Sequence, residues 1–159
     1  MPLRSDWSEA TCPIARSLDV VGDPWVLLVL REALTGSTRF EQFRSALGVA
    51  DNVLSRRLST MVEADLLTRV PYDVAAHRTR HEYVLTEAGR DLLPVVHALV
   101  QWGERHRPRD TGRLEVVHDG CGEATGGVDT CTACGGPLTA ETVSWRRPRD
   151  HGGLTPLVR

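Results

Sequence analysis

The sequence predicts a mainly α-helical domain with a small β-wing, followed by a small Cys/Gly-rich C-terminal appendage of β type. Apolar residues recur at helical spacing in several segments between residues 14 and 105. Two short strand-like runs lie at 66–72 and 81–85, and glycine and cysteine become frequent after residue 108. Four helices, a two-stranded ribbon and a closing helix in this order form a winged helix-turn-helix, which places one helix in a DNA groove.

The chain has 159 residues, enough for one compact domain and an appendage. Its hydrophobic content of 41% and charged content of 25% are those of ordinary globular proteins. No apolar run approaches the ~20 residues of a membrane-spanning helix, and the start lacks the apolar block of a signal peptide. We therefore expect a cytoplasmic protein with no membrane partner. Every basic residue is Arg, a usage that indicates a high-GC bacterial genome.

The first two helices are predicted to anchor the domain. A short helix covers residues 14–21 and ends at Gly22. Pro24 suits the first position of the next helix, where a missing N–H is not needed. The second helix ends at Gly36, because a left-handed residue is easiest there. It is expected to form the buried centre, and its apolar residues are Trp25, Leu27, Leu28, Leu30 and Leu34.

The next two helices form the predicted helix-turn-helix. Thr38 and Glu41 match the S/T-x-x-E capping box that marks a helix start, and Gly48 lies in the turn. The fourth helix begins near Asp51 and runs to about Ala64. Its apolar residues repeat at helical spacing: Leu54, Leu58, Met61 and Val62. The opposite face carries small or hydrogen-bonding residues, which groove reading requires: Asn52, Ser55, Arg56 and Ser59.

The ribbon has the segment DVAAHRTR between its strands, and Arg78 and Arg80 near its tip are placed to reach phosphates or the minor groove. Although the net charge of the chain is −2, the segment 36–80 has seven Arg and five acidic residues and is therefore +2. Local charge is what DNA affinity depends on. The predicted DNA-binding residues are Thr38, Arg39, Asn52, Ser55, Arg56, Ser59, Arg78 and Arg80. Arg57 lies at the edge of the core face and is expected to make an internal ion pair.

The closing helix is predicted from Glu87 to about Arg105, with Thr86 as its cap and a kink at Pro94. It has more apolar surface than the outer helix of a monomer needs, which indicates a dimer interface. We place a domain boundary near Pro108. The expected domains are a winged helix-turn-helix and dimerisation domain at 1–107, a zinc-ribbon-like module at 108–145 and a flexible tail at 146–159.

Several blocks of sequence, in the correct order, resemble the HxlR-type transcriptional regulators over about two thirds of the chain. They are CPIARSLDVVGDPW, the LREAL and TRFEQFR block, VLSRRL with LLTR, and EYVLTEAGRDLLPV. The resemblance implies a homodimeric winged-helix repressor or activator that binds a pseudo-palindromic operator. Ala50 and Asp51 stand where the family usually has Ser and Pro, so we expect the cap of the recognition helix to shift to Asp51. The wing has AAHRTRH in place of the commoner Pro-rich turn.

Cys12 stands apart from the other three cysteines. Some HxlR-type regulators sense oxidants or electrophiles with an N-terminal cysteine, and Cys12 occupies the matching position. Arg16, one turn further on, and the nearby helix N-terminus would both favour the thiolate that a sensor needs. The alternative is a small buried apolar residue, which is the commonest role of a free cysteine.

The appendage contains two metal-type knuckles, His118-x-x-Cys121 and Cys131-x-x-Cys134, each flanked by glycine. Thiolates and imidazoles at this spacing can meet one tetrahedral zinc ion. The segment around them has few apolar residues, so a single structural Zn²⁺ would supply its folding energy. Two alternatives remain open. Cys131 and Cys134 could form a redox disulfide, or the thiols could stay reduced.

The function expected from these features is a homodimeric, operator-specific DNA-binding regulator, a repressor that responds to a small ligand or an oxidant. The alternative is a metal- or redox-responsive switch in which the Cys-rich module is the sensor. A third hypothesis uses the same fold to bind protein instead of DNA. No nucleophile–base pair, phosphate-cradling loop or open metal site can be assembled from the motifs, so the sequence does not predict an enzyme.

Overall fold

The structure is a computed structural model that describes residues 6–73, 80–148 and 151–158. It has two compact units, Met1–Ala33 with Ser37–Thr86 and Leu34–Gly36 with Glu87–Arg159. The fold is mainly α with a small β-wing and a Cys/Gly-rich β-type appendage, which confirms the predicted fold class. Within the described ranges, no helix combines the length and apolar character needed to cross a membrane.

The first unit contains four helices and a two-stranded sheet. The elements are α1 Pro13–Val21, α2 Pro24–Leu34, α3 Phe40–Leu47, α4 Asp51–Glu63, β1 Leu67–Asp73 and β2 Arg80–Leu85. Gly22 follows α1 and Pro24 opens α2, as predicted. Gly36, with φ of +100°, ends the turn after α2 in the conformation that glycine tolerates best.

The start of α3 differs from the predicted capping box. The N-cap is Arg39, not Thr38, and the side-chain oxygen of Gln42 accepts the backbone N–H groups of Thr38 and Arg39, both at 2.9 Å. Glu41 points elsewhere and pairs with Arg44 at 3.0 Å. The box is therefore shifted by one residue, because a glutamine at the third helical position serves as well as the glutamate of the consensus.

Between α3 and α4, Gly48 adopts the left-handed conformation (φ 61°) that closes a helix. The recognition helix α4 then begins at Asp51 with Ala50 as its N-cap. The expected shift of the cap to Asp51 is thus wrong. Ala50 makes no side-chain cap, and the carboxylate of Asp51 instead lies in the first turn, where it favours the positive end of the helix dipole.

The wing is an antiparallel pair in which Leu67 faces Leu85 across the strands. The segment before α3 forms an isolated β-bridge with β2. Arg39 bridges to Glu82, and the carbonyl of Thr38 accepts the N–H of Tyr83 at 2.7 Å. The helix-turn-helix and the wing are therefore tied together by backbone hydrogen bonds.

The core of the first unit is apolar and comes from every helix of the unit and both strands. Its buried residues are Val21, Val26, Val29, Leu30, Ala33, Phe43, Val49, Leu54, Leu58, Met61, Leu66, Leu67 and Leu85. α4 packs its apolar side against this core, so its opposite side is held in a fixed orientation toward solvent.

The second unit contains two helices and a four-stranded antiparallel sheet in the order β4-β3-β5-β6. The elements are α5 Glu87–Arg90, α6 Leu93–His106, β3 Glu115–His118, β4 Ala124–Thr125, β5 Val143–Arg146 and β6 Leu154–Pro156. The predicted single closing helix is thus two helices. Pro94 lies in the first turn of α6, where its missing N–H costs nothing, instead of kinking a continuous helix. Thr86 directly precedes α5, and its hydroxyl donates to the carbonyl of Asp65.

The predicted flexible tail at 146–159 is also wrong for its described part. β6 pairs with β5, Leu157 is buried, and the N–H of Val158 donates to the carbonyl of Leu34 at 2.8 Å. α6 belongs to the same compact unit as the Cys-rich residues, whereas the sequence placed a boundary at residue 108. The reason is a set of buried contacts between the helix and the sheet, centred on Trp145, which is fully buried.

Candidate functional site

The exposed face of α4 carries all four residues that the sequence assigned to groove reading. Asn52, Ser55, Arg56 and Ser59 are exposed, whereas Leu54, Leu58 and Met61 on the other side are buried. The side-chain oxygen of Asn52 accepts the N–H of Val53 at 2.9 Å. No carboxylate among the described residues forms an ion pair with Arg56. The face offers an amide, two hydroxyls and a guanidinium, the groups that read base edges.

Arg57 is held beneath this face. Its Nη2 lies 2.6 Å from a carboxylate oxygen of Asp23, and both side chains are about three quarters buried. The predicted internal ion pair is confirmed. The Nε of Arg57 is buried and has no partner in the described part of the chain, so the guanidinium depends on Asp23 for its neutralisation.

Thr38 and Arg39 lie between α3, the first helix of the helix-turn-helix, and the wing. The Nε of Arg39 lies 2.9 Å from a carboxylate oxygen of Glu82, and its guanidinium carbon stacks 4.4 Å above the ring of Tyr72. Its side chain remains half exposed. Sequence reasoning missed this pairing because Glu82 is 43 residues away along the chain.

Arg80 is exposed at the start of β2, and Arg78 lies outside the described residues. On the neighbouring strand, Arg69 is also exposed, and its Nη2 lies 3.1 Å from Nδ1 of His81. Arg69 was not among the predicted DNA-binding residues. The sequence signal for its exposure is the alternation of side chains between the two faces of β1.

Cys12 is exposed and occupies the N-cap position of α1. It is therefore not the buried apolar residue of the alternative interpretation. Arg16 is not directed to the thiol, since its Nη1 donates to the carbonyls of Ala10 and Thr11 at 2.6 and 3.0 Å. The expected interaction between Arg16 and the thiol is therefore absent from this part of the structure.

The second unit brings together all four residues of the predicted metal site. The ligand atoms of His118, Cys121, Cys131 and Cys134 lie within 4.8 Å of one another. The sulfurs of Cys121 and Cys131 are 3.8 Å apart, and Nδ1 of His118 lies 3.4 Å from the Cys121 sulfur and 3.1 Å from the Cys134 sulfur. Ligands on a tetrahedral zinc ion are separated by about 3.8 Å (S to S) and about 3.6 Å (S to N). The four side chains are therefore close enough together to hold one metal ion, and the separation of the Cys121 and Cys131 sulfurs equals the tetrahedral value.

Two glycines make room for the imidazole of this cluster. A Cβ at Gly120 would lie 2.9 Å from Cε1 of His118, and a Cβ at Gly136 would lie 2.7 Å from the same atom. Any larger residue would collide with the ring at either position. The glycines beside the knuckles are therefore required by the close approach of backbone to His118.

Backbone N–H groups point at the sulfur atoms. Those of Cys134 and, less strongly, Ala133 donate to Cys131 and lower the pKa of its thiol to about 6 against the effect of desolvation. The N–H of Glu123 donates to Cys121, but desolvation and the neighbouring thiols outweigh it and raise the pKa of Cys121. The lowered pKa of Cys131 favours its thiolate, which is the form that binds a metal.

A buried histidine in the second unit was not anticipated. His97 on α6 is fully buried, its Nδ1 lies 3.0 Å from the carbonyl oxygen of Val128, and its Nε2 accepts the indole N–H of Trp145 at 3.2 Å. Burial lowers the pKa of His97. The imidazole is therefore neutral, with its proton on Nδ1 and donated to Val128.

A winged helix with an apolar-backed, polar-faced recognition helix defines the class of winged helix-turn-helix transcriptional regulators. The family model described as HxlR-like helix-turn-helix matches residues 20–111, and the chain belongs to this family. The uncharacterized HTH-type transcriptional regulator Rv3095 of Mycobacterium tuberculosis is 44% identical over 132 residues, which cover 82% of each chain. The regulator YdeP of Bacillus subtilis is 30% identical over 99 residues, 62% of this chain and 76% of YdeP.

Solved structures agree with this assignment. PA1607, a candidate transcription factor, is 37% identical and superposes with a TM-score of 0.71, covering 86% of this chain and 95% of its own. The redox regulator HypR in its reduced form is 30% identical with a TM-score of 0.55, covering 60% of this chain and 94% of its own. Family and relatives identify a DNA-binding transcriptional regulator and not an enzyme.

Proposed function

We propose that this regulator is a homodimer that binds a pseudo-palindromic operator through α4 and the wing and represses transcription there. The observation that carries the proposal is the exposed face of Asn52, Ser55, Arg56 and Ser59 on a helix whose other side is locked in the core. In this arrangement Asn52 and Arg56 contact base edges, and the two serines contact bases or phosphates.

The residues around α4 supply phosphate contacts. Thr38 and Arg39 precede α3, and Arg39 keeps its guanidinium half exposed while Glu82 and Tyr72 fix its direction. Arg80, with Arg78 nearby in sequence, supplies positive charge on the wing. Contacts of this kind set register and affinity without reading sequence.

The dimer is formed through α6. Val95, Leu99 and Trp102 recur at i, i+4 and i+7 on this helix and remain 43%, 49% and 55% exposed. An apolar stripe of this kind on an outer helix is typical of a surface that a second copy covers. A dimer would present its two recognition helices about 34–36 Å apart, one turn of B-DNA.

The test is footprinting on the DNA that flanks the gene, combined with binding at several salt concentrations. We expect a protected site with two half-sites and an affinity that falls steeply with salt. The matched pair is Arg56→Ala and Arg109→Ala, which remove equal charge from α4 and from an exposed loop residue. Loss of binding in Arg56→Ala alone supports the proposal, and binding in neither or unchanged binding in both contradicts it.

We further propose that Cys12 is an oxidant sensor, because it is exposed at a helix N-terminus and because HypR, whose fold this chain shares, is a redox regulator. Diamide with glutathione would remove the hydrogens of the two thiols and leave a mixed disulfide on Cys12. We expect weaker operator binding in wild type and no change in Cys12→Ser. Equal loss in both proteins would end this proposal.

The second unit is proposed to hold one structural Zn²⁺ on His118, Cys121, Cys131 and Cys134. The observation that favours zinc over a Cys131–Cys134 disulfide is the position of His118, whose Nδ1 lies within 3.4 Å of two sulfurs. Metal analysis after exhaustive dialysis should find about one equivalent per chain. Less than about half an equivalent would favour the alternative, a thiol-based redox switch in this module.

A further inference from the structure

Hydrogen bonds link His97 of α6 to strand β5 and to the segment between the two knuckles. The indole N–H of Trp145 donates to Nε2 of His97, and Nδ1–H of His97 donates to the carbonyl of Val128. The imidazole of His97 and the indole of Trp145 are fully buried. Neither ring can reach water, so the imidazole depends on Trp145 and Val128 for its hydrogen bonds, and the indole N–H depends on His97.

Val128 lies in the segment that joins the two knuckles, between Cys121 and Cys131. Hydrogen bonds anchor the residues on either side of it. The N–H of Gly127 donates to the hydroxyl of Thr125 at 3.1 Å, and the N–H of Leu138 donates to the carbonyl of Asp129 at 2.8 Å. Leu138 lies four residues after Cys134, and Thr130 forms a β-bridge with Pro137, so the place of the Val128 carbonyl depends on where the second knuckle is held.

Trp145, the other hydrogen-bond partner of His97, lies on the strand next to the one that carries His118. Trp145 lies on β5 opposite Val116 of β3, and His118 lies on β3 opposite Val143 of β5. The ligand and the indole therefore belong to adjacent strands. The path His118, β5, Trp145, His97, Val128, Cys131 therefore begins and ends at residues of the proposed metal site.

We propose that His97 is a positioning residue that couples metal occupancy to α6. The metal fixes both knuckles, the fixed knuckles place the Val128 carbonyl, and that carbonyl satisfies the buried Nδ1–H of His97. Without the metal the second knuckle is released, His97 loses its acceptor, and α6 loosens. The inference rests on the proposed zinc site and on α6 as the proposed dimer helix, because α6 carries the stripe of Val95, Leu99 and Trp102.

Coupling of this kind is reciprocal, so it is measurable from either end. From the metal end, amide hydrogen exchange of residues 93–106 in the full chain should speed up by about tenfold or more when zinc is removed with a chelator. From the helix end, His97→Gln keeps an acceptor for Trp145 but withdraws the donor to Val128. It should weaken zinc affinity by about tenfold, the usual scale for residues that support metal ligands indirectly.

Two matched variants control the experiment. His97→Asn keeps a donor at the place of Nδ1 and should retain more zinc affinity than His97→Gln. His106→Asn changes an exposed histidine on the same helix and should leave zinc affinity unchanged. Circular dichroism establishes that each variant is folded, and the exchange experiment on wild type needs no variant.

The outcomes separate the proposals. Zinc binding with α6 exchange unaffected by zinc removal overturns the coupling and leaves the zinc site standing. Wild-type affinity in a folded His97→Gln also overturns the coupling. Failure of wild type to bind zinc overturns both. None of these results bears on operator binding by α4, which is measured separately.

Discussion

The two units of this chain are stabilised by different means. The first has an apolar core in which Val29, Leu30, Phe43, Leu54 and Leu58 are at most 1% exposed. The second also buries apolar residues, among them Val116 and Val143, but it adds a buried indole–imidazole pair and four metal-type side chains. If the proposed zinc site is filled, the stability of the second unit depends on metal, whereas that of the first depends on its apolar core alone.

The largest expected effect concerns the core of the first unit. Phe43→Ala should reduce the free energy of unfolding by about 3–5 kcal/mol, because it opens a cavity at a fully buried position. Phe40→Ala, at a half-buried position on the same helix, should cost less. Urea denaturation checks this difference, and zinc content should stay unchanged in both. A larger loss in Phe40→Ala would contradict the placement of the core.

Metal removal should act on the second unit alone. At free zinc one hundred times the dissociation constant, binding contributes about 2.7 kcal/mol to stability. Chelation should therefore lower the melting temperature and increase exchange in β3 and β5, while α4 keeps its protection. Cys121→Ser with Cys134→Ser should show no response to zinc. An equal response in that variant would place the metal elsewhere.

The internal ion pair of the first unit should contribute less to the free energy of unfolding than the core residue or the metal. Asp23→Ala leaves the guanidinium of Arg57 without its partner, and the pair is only partly buried, so we expect a loss of about 1–2 kcal/mol. Arg44→Ala removes exposed pairs to Glu41 and Asp51 and should change stability by no more than about 0.5 kcal/mol. Urea midpoints of the two variants measure which loss is larger. A larger loss in Arg44→Ala would contradict the expectation that the more buried ion pair contributes more to stability.

The smallest effect is the pH dependence of the second unit. Burial lowers the pKa of His97 in the folded state, so the unfolded chain takes up the proton first as pH falls. The contribution of His97 to stability is complete above about pH 6.5 and declines below it toward the folded pKa. Unfolding of the zinc-free protein between pH 8 and 5 should show this decline in wild type and less of it in His97→Asn. An identical dependence of unfolding free energy on pH in the two proteins would show that His97 does not cause the decline.

Local patterns were enough to predict much of the molecule. The face of α4 follows from the spacing of Leu54, Leu58 and Met61, and the metal cluster follows from two x2 knuckles with glycine neighbours. Each feature depends on residues within about 20 positions of one another. Short-range periodicity and ligand spacing are therefore sufficient to predict them.

Features that depend on distant partners were not predictable in this way. His97 meets an indole 48 residues away and a carbonyl 31 residues away, and Arg39 meets a carboxylate 43 residues away. β6 looked like a Pro/Gly-rich tail because its order comes from pairing with β5, not from its own composition. Only the tertiary structure brings such partners together.

The most direct test of operator reading by α4 is a binding titration of wild type, Arg56→Ala and Arg109→Ala with the upstream duplex and a scrambled duplex of equal length. We expect Arg56→Ala to lose about 10- to 100-fold in affinity for the upstream duplex, which corresponds to about 1–3 kcal/mol, and Arg109→Ala to keep its affinity. Wild type should also sediment as a dimer. A monomer that binds both duplexes equally, or neither at low salt, would contradict operator reading by α4.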